Sequence, residues 1–141
     1  MISATLIAAA LALTPVQNSH APRPSWGADV TDGDWKYIGP NVDDTSMLFV
    51  KNAPGRSADG NPRLWVRQEF SEPRGKMVSS RMLMEVDCMS AYWRTSQIAA
   101  FSERNLEGDK QSANKLSDWT SVTPNTFAEE AWHVVCVSGN R

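Results

Sequence analysis

The chain has 141 residues, 14 basic and 16 acidic side chains, a net charge of −2 and 41% apolar content. That is material for one domain with a real core, and its slight acidity excludes the basic footprint of a nucleic-acid-binding domain or a polybasic membrane surface. Two histidines and two cysteines leave little for a metal centre, so no metal and no cofactor is expected; the unusual count is six tryptophans.

Residues 2–13 form an apolar run rich in Ala and Leu, followed by Thr14-Pro15 and a polar stretch ending at Ala21. The run is too short for a stable bilayer span and reads as the hydrophobic segment of a secretory signal covering residues 1–21. Ser19-His20-Ala21 and Ala10-Leu11-Ala12 are two cleavage contexts; no Lys or Arg precedes the run, and a buried N-terminal helix is the alternative. No other stretch approaches membrane-spanning length, and no cysteine follows the run to carry a lipid anchor. The expected location is therefore extracytoplasmic, either periplasmic or secreted. In such an oxidising compartment, an even pair of cysteines in a small domain is expected to form a disulfide, here Cys88 with Cys136. A free nucleophilic thiol is the alternative.

Residues 22–33 carry Pro22, Pro24, Gly27 and Gly33 and read as a linker, so the domain proper is expected over 34–141. A short strand at 34–38 is expected to stop at Gly39-Pro40, and 46–51 (SMLFVK) is a second short apolar run. Residues 53–62 (APGRSADGNP) are loop chemistry. Three β-rich runs follow, 63–70, 77–88 and 92–101, separated by a turn at 71–75 and a tight Met89-Ser90 connection. They predict an antiparallel meander. The tight connection sets Val86 opposite Trp93 and Glu85 opposite Arg94. Residues 102–118 are polar, with a weak edge strand expected around 110–113. Near the C-terminus, Thr126 and Glu129 have the spacing of a capping box, and Ala128, Ala131, Trp132, Val135 and Cys136 fall on one helical face, with Gly139 as a stop.

These elements predict an α+β fold: an antiparallel meander of five to six strands with a C-terminal helix packed on it and tethered by the disulfide. Cys88 directs its side of the sheet toward the helix, and Met82, Met84, Val86 and Trp93 follow. If Trp65 also faces the helix, then Leu64, Val66, Leu83 and Ile98 share the other face with Arg81, Glu85 and Arg94. Such an apolar cluster needs a cover, and a homodimer or partner surface is expected there.

No catalytic constellation is found, and no enzymatic activity is expected. His133 is the one histidine beyond residue 21, no GxSxG elbow occurs, and the acid pairs Glu85/Asp87 and Glu129/Glu130 have structural explanations. Asp29, Asp32 and Asp34 surround Gly33, but no closing acid completes a calcium loop. Trp65, Arg67, Trp93 and Arg94 could form a single-strand nucleic-acid platform; net acidity and export favour buried tryptophan, so no nucleic-acid partner is expected.

The order of features resembles the surface-adhesin protein E family. The matching residues are Trp35, Leu64-Trp65-Val66, Glu85-Val86-Asp87-Cys88, Trp119, Val122, Pro124, and Thr126 through Val135-Cys136. The resemblance implies an antiparallel sheet with a disulfide-tethered C-terminal helix, a bacterial source, a dimer, and an adhesin that binds host extracellular-matrix or serum proteins. The family's lipid-anchored member has an anchoring cysteine that this sequence lacks, and no host-binding position transfers residue by residue. For a protein partner, Arg74 and Lys76 in the 71–76 turn and the polar 102–118 segment are the candidate contacts. The alternative is a periplasmic structural or envelope-assembly component with no host ligand.

Overall fold

The computed structural model describes residues 22–138; the expected signal segment lies outside the described residues. The strands are β1 (Lys36–Pro40), β2 (Ser46–Arg56), β3 (Pro62–Arg74), β4 (Met77–Asp87), β5 (Tyr92–Glu103), β6 (Glu107–Ala113) and β7 (Thr120–Ser121). They form one antiparallel sheet in the order β1-β2-β3-β4-β5-β6, with β7 added beside the start of β5. A short helix α1 (Phe127–Trp132) continues into a π-helical turn, His133–Ser138. The meander is the one the sequence predicts, with longer arms. β2 runs on through the expected loop to Arg56, and β1 passes through Gly39-Pro40 by way of a bulge, where an edge strand tolerates proline.

The tight β4–β5 connection pairs Val86 with Trp93 and Glu85 with Arg94, as expected. Asp87 holds this turn, accepting hydrogen bonds from the backbone N–H groups of Met89 and Ser90 and from the Ser90 hydroxyl. Those bonds, the hydroxyl's first, keep its carboxyl below the ordinary carboxylate range.

One sheet face carries the main core. Leu48, Val50, Leu64, Val66, Met82, Met84, Val86, Trp93 and Ile98 pack there with Phe127, Ala128, Ala131 and Val135 of the helical segment. Cys136 in the π-turn bonds Cys88 at the end of β4, with Cα atoms 5.6 Å apart. The disulfide thus closes the helix onto the strand whose apolar residues it covers.

The expected sharing of residues between faces is corrected in two places. β3 pairs Leu64 with Met84 and Val66 with Met82, so these leucine and valine side chains face the helix and Trp65, opposite Leu83, faces away. Ile98 also faces the helix, although strict alternation from Trp93 puts it on the other side. The cause is a bulge: Leu83 pairs with Gln97 but Met84 with Thr95, so Ser96 is an extra residue and reverses the alternation. Of the apolar cluster that called for a second protomer on the outer face, Leu64, Val66 and Ile98 therefore lie in the main core, while Leu83 stays on the outer face between Trp65 and Gln97.

The capping box is also modified. Thr126 is the N-cap residue, but its hydroxyl donates to Thr123 O (2.6 Å), and Glu129 accepts from the Asn125 N–H at 3.4 Å instead of from its N-cap.

Candidate functional site

The outer face of the sheet divides into a covered half, an open cleft and an exposed end. The cover is residues 22–35. Val30 is buried against Met47 and Phe49, with Trp26, Trp35 and Tyr37 packed around them. Trp26 donates its indole N–H to Asp44 O at 2.7 Å. The stretch that composition marks as a linker thus lies on the sheet.

Polar side chains hold that cover. Arg67 and Glu69 are two apart on β3 and so share the outer face; they pair at 2.8 Å with side chains 3% and 0% exposed. Arg67 also donates to Thr31 O and to Asn105 Oδ1, and its guanidinium lies 4.4 Å from the Phe49 ring centre. Glu69 accepts the Asn105 N–H, and the Asn105 side chain binds Asp29 O and the Thr31 N–H. Asn105 takes φ 63°, a conformation asparagine adopts more readily than most residues. Burial raises the Glu69 carboxyl above the ordinary carboxylate range, while the Arg67 charge and hydrogen bond oppose that shift. The three aspartates of the segment each meet a cation: Asp29 with Arg104, Asp32 with Arg23 and Asp34 with Lys51.

The open half is a polar cleft of about 210 Å³ lined by Trp65, Arg81, Gln97, Ala99, Lys110 and Ser112, among others. Arg81, Ala99 and Ser112 lie in one cross-strand row, and Lys110 pairs with Phe101 in the next. The Arg81 guanidinium sits 5.4 Å from the Trp65 ring centre and 5.9 Å from that of Phe101. Among the described residues, no carboxylate forms an ion pair with Arg81 or Lys110. Along one side of this cleft runs β6, the last strand of the sheet order and exposed from Glu107 to Ser112.

At the end of the sheet, Met89 (99% exposed), Tyr92 (41%) and Trp119 (37%) remain accessible. Asp87, Ser90, Tyr92 and Trp119 frame a hollow of about 240 Å³. The Arg94 guanidinium lies 4.3 Å from the Trp119 ring centre and is held by Glu85 at 3.0 Å and Asp59 at 2.9 Å. Cross-strand pairing with Glu85 therefore has a second effect, fixing the arginine on which this aromatic rests.

Arg74 and Lys76 sit on the exposed β3–β4 turn, where Arg74 lies over Phe70 at 4.9 Å. The turn is separate from both the cleft and the aromatic end. Of the four residues considered as a nucleic-acid platform, Trp93 faces the core while Trp65, Arg67 and Arg94 face outward, and Arg67 is buried in the cover's network. His133 is exposed, edge-on to the Trp132 ring. Sequence reasoning missed the Trp65–Arg81 cleft because it assigned Trp65 to the core; the pairing of β3 with β4 was the missing information.

Surface-adhesin protein E is the family matched, over residues 35–137. This chain belongs to that family. The matched span begins at Trp35, before β1, and ends just after the disulfide, taking in the whole sheet and the helix. Comparison with curated proteins and with solved structures gives no match. The family assigns an adhesin-like module, and among the described residues no helix is long and apolar enough to cross a membrane.

Proposed function

We infer that this chain is an exported, non-enzymatic binding module whose partners are proteins of the host extracellular matrix or serum. The family match supports a protein-binding role. The observation that carries it to a surface is the exposed end, where Met89, Tyr92 and Trp119 are accessible and Arg94 lies against the Trp119 ring. Aromatic side chains, methionine and arginine are the types enriched at protein interfaces, and tryptophan, tyrosine and arginine dominate their binding energy. Arg94 is anchored before any partner arrives, so little side-chain freedom remains to be lost on association. Arg74 and Lys76 add a separate exposed cationic turn that can steer an acidic partner.

Capture experiments on immobilised matrix and serum proteins, run beside bacterial envelope extract, separate this reading from a periplasmic assembly role. Retention of the oxidised chain by matrix or serum proteins is expected, with cell fractionation placing it outside the cytoplasm. Retention by envelope components alone would replace the adhesin reading with the assembly one.

A further inference from the structure

We propose that the outer edge of β6 and the cleft beside it bind an extended acidic segment of the partner protein. Strand addition would satisfy the edge, and Lys110 and Arg81 would receive a carboxylate. The inference rests on the protein-binding reading above and assigns it a second contact surface.

Three observations converge on this surface. First, β6 terminates the sheet order, so its outer backbone edge has no strand beside it among the described residues. An edge of this kind is a template for a further strand, with backbone bonds giving affinity and side chains giving choice. Second, the edge is polar: Glu107 and Asp109 share the strand with Lys110, and of the three Lys110 is the one that lines the cleft, so an acidic side chain is favoured on the cleft face of an added strand. Third, the cleft is cationic, with no counter-ion among the described residues: Lys110 and Ser112 line its mouth on β6, and Arg81 lies behind the small Ala99.

An added strand sits about 5 Å outside β6, and alternate side chains project over the same face as Lys110 and Ser112. A glutamate on that face meets Lys110 first and lies in the field of Arg81. Arg81 is already oriented by Trp65 and Phe101, so its charge is presented without a large ordering cost. Residues 22–35 cover Met47 and Phe49, at the opposite side of the face, and leave this half accessible.

The probe is a labelled synthetic peptide matched to the seven residues of β6, alternating valine and glutamate. Its glutamine counterpart and an N-methylated version that cannot pair along its backbone serve as controls. Fluorescence anisotropy on the oxidised chain is expected to show saturable binding of the acidic peptide, about tenfold weaker binding of the glutamine peptide, and loss of binding on N-methylation. Lys110→Gln, which changes an exposed side chain, and Arg81→Gln should each weaken the acidic peptide and leave the glutamine peptide unchanged. Far-ultraviolet circular dichroism checks that both variants fold.

No binding of the acidic peptide, equal binding of the two peptides, or insensitivity to both substitutions would overturn the proposal. So would unimpaired binding of the N-methylated peptide, or competition by glucuronate as effective as by peptide, which would point to a small-carboxylate site. The outcomes separate from those of the host-protein reading. Matrix or serum capture without peptide binding removes this site alone, and peptide binding without such capture removes the host partner alone.

Discussion

Arg67→Met removes the cation from the most enclosed ion pair among the described residues. Arg67 and Glu69 are 3% and 0% exposed at a separation of 2.8 Å, so the substitution leaves a carboxylate buried without its counter-charge. Breaking one partner of such a pair costs about 3–5 kcal/mol. The bonds to Thr31 O and Asn105 Oδ1 vanish with it, so residues 22–35 should also loosen. Urea unfolding at neutral pH measures the first effect, and amide hydrogen exchange across residues 25–35 measures the second.

A pH series tests the same physics. Burial holds the Glu69 carboxyl above its ordinary value of 4.5. With the folded value raised, protonation is favoured by folding: its contribution is fully present below the unfolded value and is lost as pH rises through the folded one. Removing Arg67 raises the folded value further, so the variant should recover part of its deficit on acidification. The double variant Arg67→Met/Glu69→Leu should lie well above Arg67→Met in stability, because no charge is left stranded. A loss below about 1 kcal/mol for Arg67→Met, the level of an exposed pair, would refute the reasoning, as would a deficit that grows on acidification.

Reducing the Cys88–Cys136 disulfide, which spans 48 residues, should destabilise the fold by about 4 kcal/mol in the chain-entropy description; equal urea midpoints for oxidised and reduced protein would contradict it. Tyr37 is packed under the N-terminal segment, and burial pushes its phenol up to about 12. Its contribution to stability is therefore complete below pH 10 and lost as pH rises through about 12. The Tyr37→Phe difference in an ultraviolet titration should show that late ionisation, and an ordinary value near 10 would place Tyr37 in solvent. Asp87→Ala should loosen the β4–β5 turn. In the native protein the Asp87 carboxyl should titrate below 3.8, with its stabilisation present above that value and lost as pH falls through the folded one; an unshifted carboxyl resonance in NMR would show that the turn bonds do not persist.

Much of the architecture was legible because local rules determine it. The Met89-Ser90 connection set the β4–β5 register, and an even cysteine pair in an export context predicted the bond now seen between Cys88 and Cys136. The facial assignment was less accessible. Leu64-Trp65-Val66 is apolar on both sides of the strand, so only the pairing Leu64–Met84 decides which residues meet the helix. Ser96 gives no sign in sequence that it is the extra residue of a bulge, yet it moves Ile98 to the core side. Residues 22–33 look like a linker by composition. Their order comes from long-range partners, Arg67 on β3 and Asn105 between β5 and β6, which no local pattern connects. Arg74 and Lys76 were placed on a turn by their neighbours, whereas the Trp65–Arg81 cleft required four strands to be assembled first.

The most direct measurement is a binding isotherm of the oxidised chain on immobilised matrix and serum proteins, repeated with Met89→Glu. Met89 is almost fully exposed, so the substitution should leave the unfolding midpoint unchanged. A charge on the β4–β5 turn, next in sequence to the Ser90 that helps frame the aromatic hollow, should weaken a saturable interaction by about tenfold or more. Saturable binding that falls in this variant is the predicted result; no binding to any matrix or serum protein, or binding indifferent to Met89→Glu, would contradict the account.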